Sequence, residues 1–216
     1  MSAPSSARLI GLAPVYDAAT RILMLGSFPS PASLAARQYY AHPQNQFWKL
    51  MGALLDAPLH DLPYPQRIGH LLRHGVGVWD VYQSCARPGA LDADIRAGKA
   101  NDFSMLLKQT PCLASLCFNG KTAGKFAPRL TALARAAGRE LTTHILPSSS
   151  PAYTLPFARK LERWRAAAYM GETRFPDFAG ECRLVTEADS ADAGLQGCMD
   201  AALVDVGNWT DGCGKT

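Results

Sequence analysis

Apolar residues fall along this chain in two alternating patterns. Short continuous runs closed by a glycine or a polar residue have the length and content of buried strands: Arg21–Leu25, Val76–Tyr82, Leu113–Phe118 and Leu141–Leu146. Between them the spacing becomes helical. Gln46–Leu55 places Phe47, Leu50, Met51, Leu54 and Leu55 on one face, with Asn45 at the N-cap. Tyr64–His74 presents Ile68, Leu71 and Leu72 and stops at Gly75. Asp102–Lys108, Lys121–Ala137 (stopped by Gly138) and Pro156–Tyr169 read as three more helices, the last with a proline in its first turn and Leu161 and Trp164 inward. The stretch between Leu25 and Asn45 has no period and reads as a long loop.

Strands alternating with helices predict an α/β fold. The expected architecture is a three-layer α/β/α sandwich with a central four-stranded parallel sheet and right-handed crossovers. Such sheets bind ligands at the carboxyl ends of their strands. Those ends carry Ser27, Asp80, Asn119 and Ser148–Ser150, so polar groups converge on one rim, and Met24 to Trp48 reads as a wall of the pocket there. Beyond Phe175 the pattern dissolves. Residues 1–175 are expected to form one domain and 176–216 a poorly ordered tail.

Charge sharpens this division. Residues 1–175 carry 20 Lys and Arg against 10 Asp and Glu, a net +10, whereas 176–216 carry 2 against 8, a net −6. A basic body suits a polyanion, since neutralising phosphates releases counterions, although a solvated basic surface gives the same count. The tail is expected to compete with that polyanion. No stretch approaches the roughly 18 apolar residues of a membrane span, so a soluble, cytoplasmic protein without membrane contact is expected. The six cysteines have no C-x-x-C pair and the five histidines are scattered. Mostly free thiols and no metal or cofactor follow.

Several local signals carry chemistry, each beside a plainer reading. Phe118-Asn119-Gly120-Lys121-Thr122 follows a strand and precedes a helix like a phosphate loop, but position 115 is Ser where that motif needs Gly. What remains is an anion seat beside Lys121, or simply a turn. Ser27 follows a strand without the G-x-S-x-G elbow, and His144 lies inside a strand, so acyl transfer is disfavoured. Asp80 interrupts an apolar strand as either a capped structural carboxylate or a ligand acceptor. Tyr39 and Tyr40 either pack in the core or stack on a planar ligand.

Together these residues resemble the uracil-DNA glycosylase superfamily, above all its hypoxanthine-DNA glycosylase branch. The resemblance is carried by Leu25-Gly26-Ser27-Phe28-Pro29, Gln38 through Trp48, Val78-Trp79-Asp80-Val81, Phe118-Asn119-Gly120-Lys121 and Leu146-Pro147-Ser148-Ser149-Ser150-Pro151, in order over about residues 7 to 170. Mismatch-specific uracil glycosylases have Gly-Ile-Asn-Pro-Gly after the first strand, and its Asn positions water. Here Ser27 takes that place, and the hypoxanthine branch is thought to use the asparagine of the His-Pro-Gln-Asn segment, Asn45.

The resemblance implies a monofunctional, monomeric glycosylase that hydrolyses a deaminated base, most plausibly hypoxanthine, from DNA. Asn45 would hold the attacking water and Ser27 assist. Phe28, Tyr39, Tyr40, Asp80 and Asn119 would bind the base. Ser148, Ser149 and Ser150 would pinch phosphates, Tyr153 or Leu155 would fill the vacated stack, and Lys121, Arg159 and Lys160 would contact phosphates. A uracil or xanthine glycosylase on the same fold and an inactive DNA-binding relative stay open as alternatives.

Overall fold

The computed structural model describes residues 8–169. In chain order the elements are β1 (Arg8–Ile10), β2 (Ile22–Gly26), α1 (Pro31–Ala36), α2 (Phe47–Leu54), α3 (Tyr64–Arg73), β3 (Val76–Asp80), β4 (Tyr82–Ala86), a 3-10 turn (Asp92–Asp94), β5 (Arg96–Ala100), α4 (Ser104–Gln109), β6 (Ser115–Asn119), α5 (Lys121–Gly124), α6 (Ala127–Ala136), β7 (Thr142–Leu146) and α7 (Phe157–Tyr169). The proposed tail and its boundary at residue 175 lie outside the described residues.

The four predicted strands form one parallel sheet in the order β3-β2-β6-β7. Its centre is wholly buried because helices cover both faces. Ile22 and Met24 of β2 pack with α2, α3 and α7, while Leu23 and Leu25 pack with α4, α5 and α6. Alternate side chains of one strand therefore serve two cores, which is why the run is apolar at every position. Register places Gly26 opposite Asp80 and Asn119 opposite Leu146, so the strands finish along one edge.

Three features depart from the sequence expectation. Val76–Tyr82 is two strands: β3 ends at Asp80, and β4 leaves to pair antiparallel with β1 and β5 in a second, three-stranded sheet. β5 is Arg-Ala-Gly-Lys-Ala, exposed along most of its length, so no apolar alternation announces it. The expected helix Lys121–Ala137 breaks into α5 and α6, because Pro128 offers no N–H and crowds the preceding turn. The expected loop after β2 contains α1, capped by Ser30, whose Oγ accepts the Ser33 N–H at 3.1 Å.

Among the described residues Cys85 and Cys117 are buried free thiols. Among the described residues no helix is long and apolar enough to cross a membrane.

α7 is anchored through Trp164, 1% exposed, whose ring meets Phe47 edge-on and whose Nε1 donates to the Pro147 carbonyl at 2.9 Å. Trp164→Ala should lower the unfolding free energy by about 3–5 kcal/mol in urea titrations, and a loss below about 1 kcal/mol would contradict this packing role.

Candidate active site

The parallel strands end at a cavity of about 280 Å³. Its floor is built by close approach. A Cβ on Gly26 would collide with Asp80 Oδ1 and stand 3.2 Å from Tyr40 Oη, so only glycine lets β2 end beside Asp80. Tyr40 is held at φ 54°, in the left-handed region that a bulky residue rarely adopts. Its ring stacks on Phe47 at 3.8 Å.

Asp80 is 4% exposed and its Oδ2 has no hydrogen-bond partner; Tyr40 Oη is likewise buried and unpartnered. Burial, reinforced by the charge of Asp92 and partly offset by Arg87, pushes the Asp80 carboxyl up to about 7. The Tyr40 phenol is raised by burial and by Asp80. Asn119 is near enough to oppose that shift without completing a hydrogen bond. Two adjacent polar groups thus face the cavity unsatisfied, which native interiors rarely leave so without a ligand or water.

Asn45 lines the same cavity. The N-cap is Gln46 and not Asn45 as expected, yet the Asn45 Oδ1 still accepts the Phe47 N–H at 2.9 Å, which holds the amide still. Ser27 donates its hydroxyl proton to Asp92 Oδ1 at 2.6 Å. Phe28 carries the Arg87 guanidinium 5.2 Å above its ring centre. Neither Asp92 nor Arg87 is marked by any sequence pattern. Both come from the excursion through β4 and the 3-10 turn, whose course the apolar pattern does not reveal.

Other expected contacts move into supporting positions. Asn119 accepts the Ser149 N–H through Oδ1 and donates through Nδ2 to Ser149 Oγ, both at 2.8 Å, so most of its capacity goes to the loop rather than to a base. Ser149 is fully buried and its carbonyl also accepts the Gln46 N–H at 2.9 Å, leaving it unable to reach a phosphate. Ser148 and Ser150 stay half-buried on the rim. Tyr39 borders the cavity, but it is 3% exposed and its hydroxyl donates to the Ala13 carbonyl at 2.9 Å, so its main part is packing.

Lys160 is a correction of the same kind. At 1% exposure it lies in the interior, 3.4 Å from the Ser150 carbonyl and 5.4 Å from the Tyr153 ring centre, and burial lowers its pKa. From there it supports the loop through the Ser150 carbonyl and the Tyr153 ring. Lys121 and Arg159 are exposed, the latter paired with Glu162 at 2.8 Å. Tyr153, 38% exposed, stands at the cavity mouth, whereas Leu155 does not line it.

Residues 13–171 match the family model described as the uracil DNA glycosylase superfamily. The chain belongs to that superfamily. It is 38% identical over 156 residues, 72% of this chain and 95% of the relative, to a protein named Hypoxanthine DNA glycosylase from Methanosarcina acetivorans. A protein of the same name from Methanosarcina barkeri is 39% identical over 157 residues, 73% of this chain and 96% of the relative. A solution NMR structure from Methanosarcina acetivorans, described as a candidate uracil DNA glycosylase, matches with TM-score 0.67 and 35% identity over 81% of this chain and 100% of that one. The five segments that carry the resemblance in the sequence all fall within the residues matched to the superfamily, and each reaches the cavity or its rim.

The perturbed carboxyl has a stability signature. An unfolded aspartate titrates near ~4, so between there and the folded value of about 7 the native protein keeps a proton that the unfolded chain has lost. Stability is therefore full below that window and falls as pH rises through it, by at most about 1.4 kcal/mol per pH unit. Asp80→Asn should remove the slope, so that the variant gains on the wild type between about pH 4 and about pH 7 in urea titrations; a constant difference would refute the shifted carboxyl.

Proposed function

We propose that the protein is a monofunctional DNA glycosylase that flips a deaminated base, hypoxanthine in first place, from DNA and hydrolyses its glycosidic bond. The observation that carries this reading is the pair of unpartnered groups on the cavity floor, Asp80 Oδ2 and Tyr40 Oη. Hypoxanthine presents an N1–H donor beside an O6 acceptor. An ionised Asp80 accepts the first and the Tyr40 hydroxyl donates to the second. Adenine reverses the pattern, so its N1 lone pair would face the carboxylate. The two relatives named Hypoxanthine DNA glycosylase support the choice of base.

Flipping costs a few kcal/mol, least where the base is mispaired, which favours a deaminated base at the first step. Once the base is seated, the C1′–N9 bond breaks with its electron pair going to the purine, and the sugar becomes oxocarbenium-like. Asn45 cannot take a proton at neutral pH. The lone pair left on Oδ1 after the Phe47 bond, and its Nδ2 protons, orient a water toward C1′. Ser27 acts through Asp92, turning that carboxylate so that its charge favours the cationic sugar. Lys121 and Arg159 meet flanking phosphates, Ser148 and Ser150 line the strand's path, and Tyr153 fills the gap in the stack. The enzyme works as a cytoplasmic monomer.

Duplexes each containing one deoxyinosine, deoxyuridine or deoxyxanthosine test the reading directly. Alkali-labile sites should form fastest at deoxyinosine; preferential cleavage at deoxyuridine would transfer the function to uracil, and none at any lesion would reject it. Asn45→Ala should slow single-turnover release by roughly 100-fold, whereas Asn45→Asp keeps an acceptor for the Phe47 N–H and so separates catalysis from helix capping. Undiminished release by Asn45→Ala would remove that residue from the mechanism.

A further inference from the structure

The departing purine carries away an electron pair, and the cavity looks ill suited to receive it. Two carboxylates, Asp80 and Asp92, face the same space, and each opposes a developing anion. None of the five histidines lines the cavity and no lysine does; among the described residues that line it, Arg87 is the one cation.

Arg87 is 6% exposed. One terminal nitrogen donates to the Pro29 carbonyl at 2.7 Å, the guanidinium carbon lies over the Phe28 ring, and its Nε–H is buried with no acceptor. No Asp or Glu among the described residues stands within ion-pairing distance of it. A buried cation without a contact counter-ion is costly unless something else occupies that place during function. The two restraints fix the guanidinium before substrate arrives, the condition under which a charged group stabilises a transition state without reorganising.

We propose that Arg87 is the catalytic residue that stabilises the leaving base: its guanidinium neutralises the negative charge that builds on the purine as the C1′–N9 bond breaks. The inference rests on the glycosylase reading. The balance is complete without a cofactor. Water oxygen bonds to C1′ and releases a proton to solvent, the electron pair of the broken bond stays on the purine, and the purine anion takes a proton from solvent. Arg87 remains protonated throughout, as its basicity requires.

A leaving-group series tests this. Duplexes carry either hypoxanthine or 8-azahypoxanthine, which has nearly the same shape but departs more readily because the added ring nitrogen withdraws charge. Single-turnover rates and duplex affinity are measured for the wild type, Arg87→Met and Arg87→Lys. Arg87→Met should slow hypoxanthine release by roughly 100-fold and 8-azahypoxanthine release by less than about tenfold, with Arg87→Lys between, since a good leaving group needs less help.

Equal slowing for both bases would overturn the proposal, because a folding or packing role is blind to the leaving group. So would a loss confined to duplex affinity with a smaller salt dependence, which marks a phosphate contact. Unchanged rates would overturn it as well. A wild type that releases neither base would instead refute the glycosylase reading, so the two failures are distinct.

Discussion

Ser149 is the point on which the site depends. Its N–H and Oγ are both bonded to the Asn119 amide at the end of β6, and its carbonyl accepts the Gln46 N–H at the start of α2. Three segments distant in sequence are thereby tied at one fully buried residue. Asn45, next to Gln46, owes its place to that tie. A serine that resembles a phosphate contact is thus the joint beside the Asn45 amide, and low-dielectric burial is what makes its three hydrogen bonds costly to lose.

The chemistry of the cavity follows from its charges. A parallel sheet that ends beside Gly26 admits the Asp80 carboxyl where no larger residue would, and burial then raises it to about 7. Asp92 arrives from the second sheet with Ser27 bound to it, and Arg87 arrives from the same excursion. The scaffold supplies the neutral hydrogen-bonding groups, and the excursion supplies most of the charge. In the proposed mechanism, reading a lactam edge, favouring a cationic sugar and receiving an anionic base are separate electrostatic tasks that fall to separate segments.

Much of this was legible in the sequence because it depends on burial. All four parallel strands, and α2, α3 and α7, follow from apolar runs and helical spacing. Asp80 and Ser27 were legible because polar residues at strand ends stand out against apolar runs, whereas Asn45 and Tyr40, between α1 and α2, were legible from helix capping, paired aromatics and the family resemblance. Arg87 and Asp92 were not, because β4, β5 and the turn between them are short and without apolar period, and β5 and the turn are largely exposed. Lys160 misled for a related reason. A lysine on a helix near a polar loop looks solvated, and only the packing of α7 against Tyr153 and Ser150 draws it inside. Ser149 and Asn119 stand at the strand ends but are buried and bonded to each other, because which serine faces inward is settled by loop geometry that spacing does not encode.

In the proposed function the cavity at the strand ends holds an extrahelical lactam base between Asp80 and Tyr40. The most direct test is a crystal structure with a duplex whose deoxyinosine bears a 2′-fluorine that slows cleavage. Hypoxanthine is expected in the cavity with N1 within ~3.2 Å of an Asp80 oxygen, O6 at the same range from Tyr40 Oη, and a water on Asn45 facing C1′. A base still stacked in the duplex, or one seated in the cavity with its sugar edge toward Asp80, would contradict it.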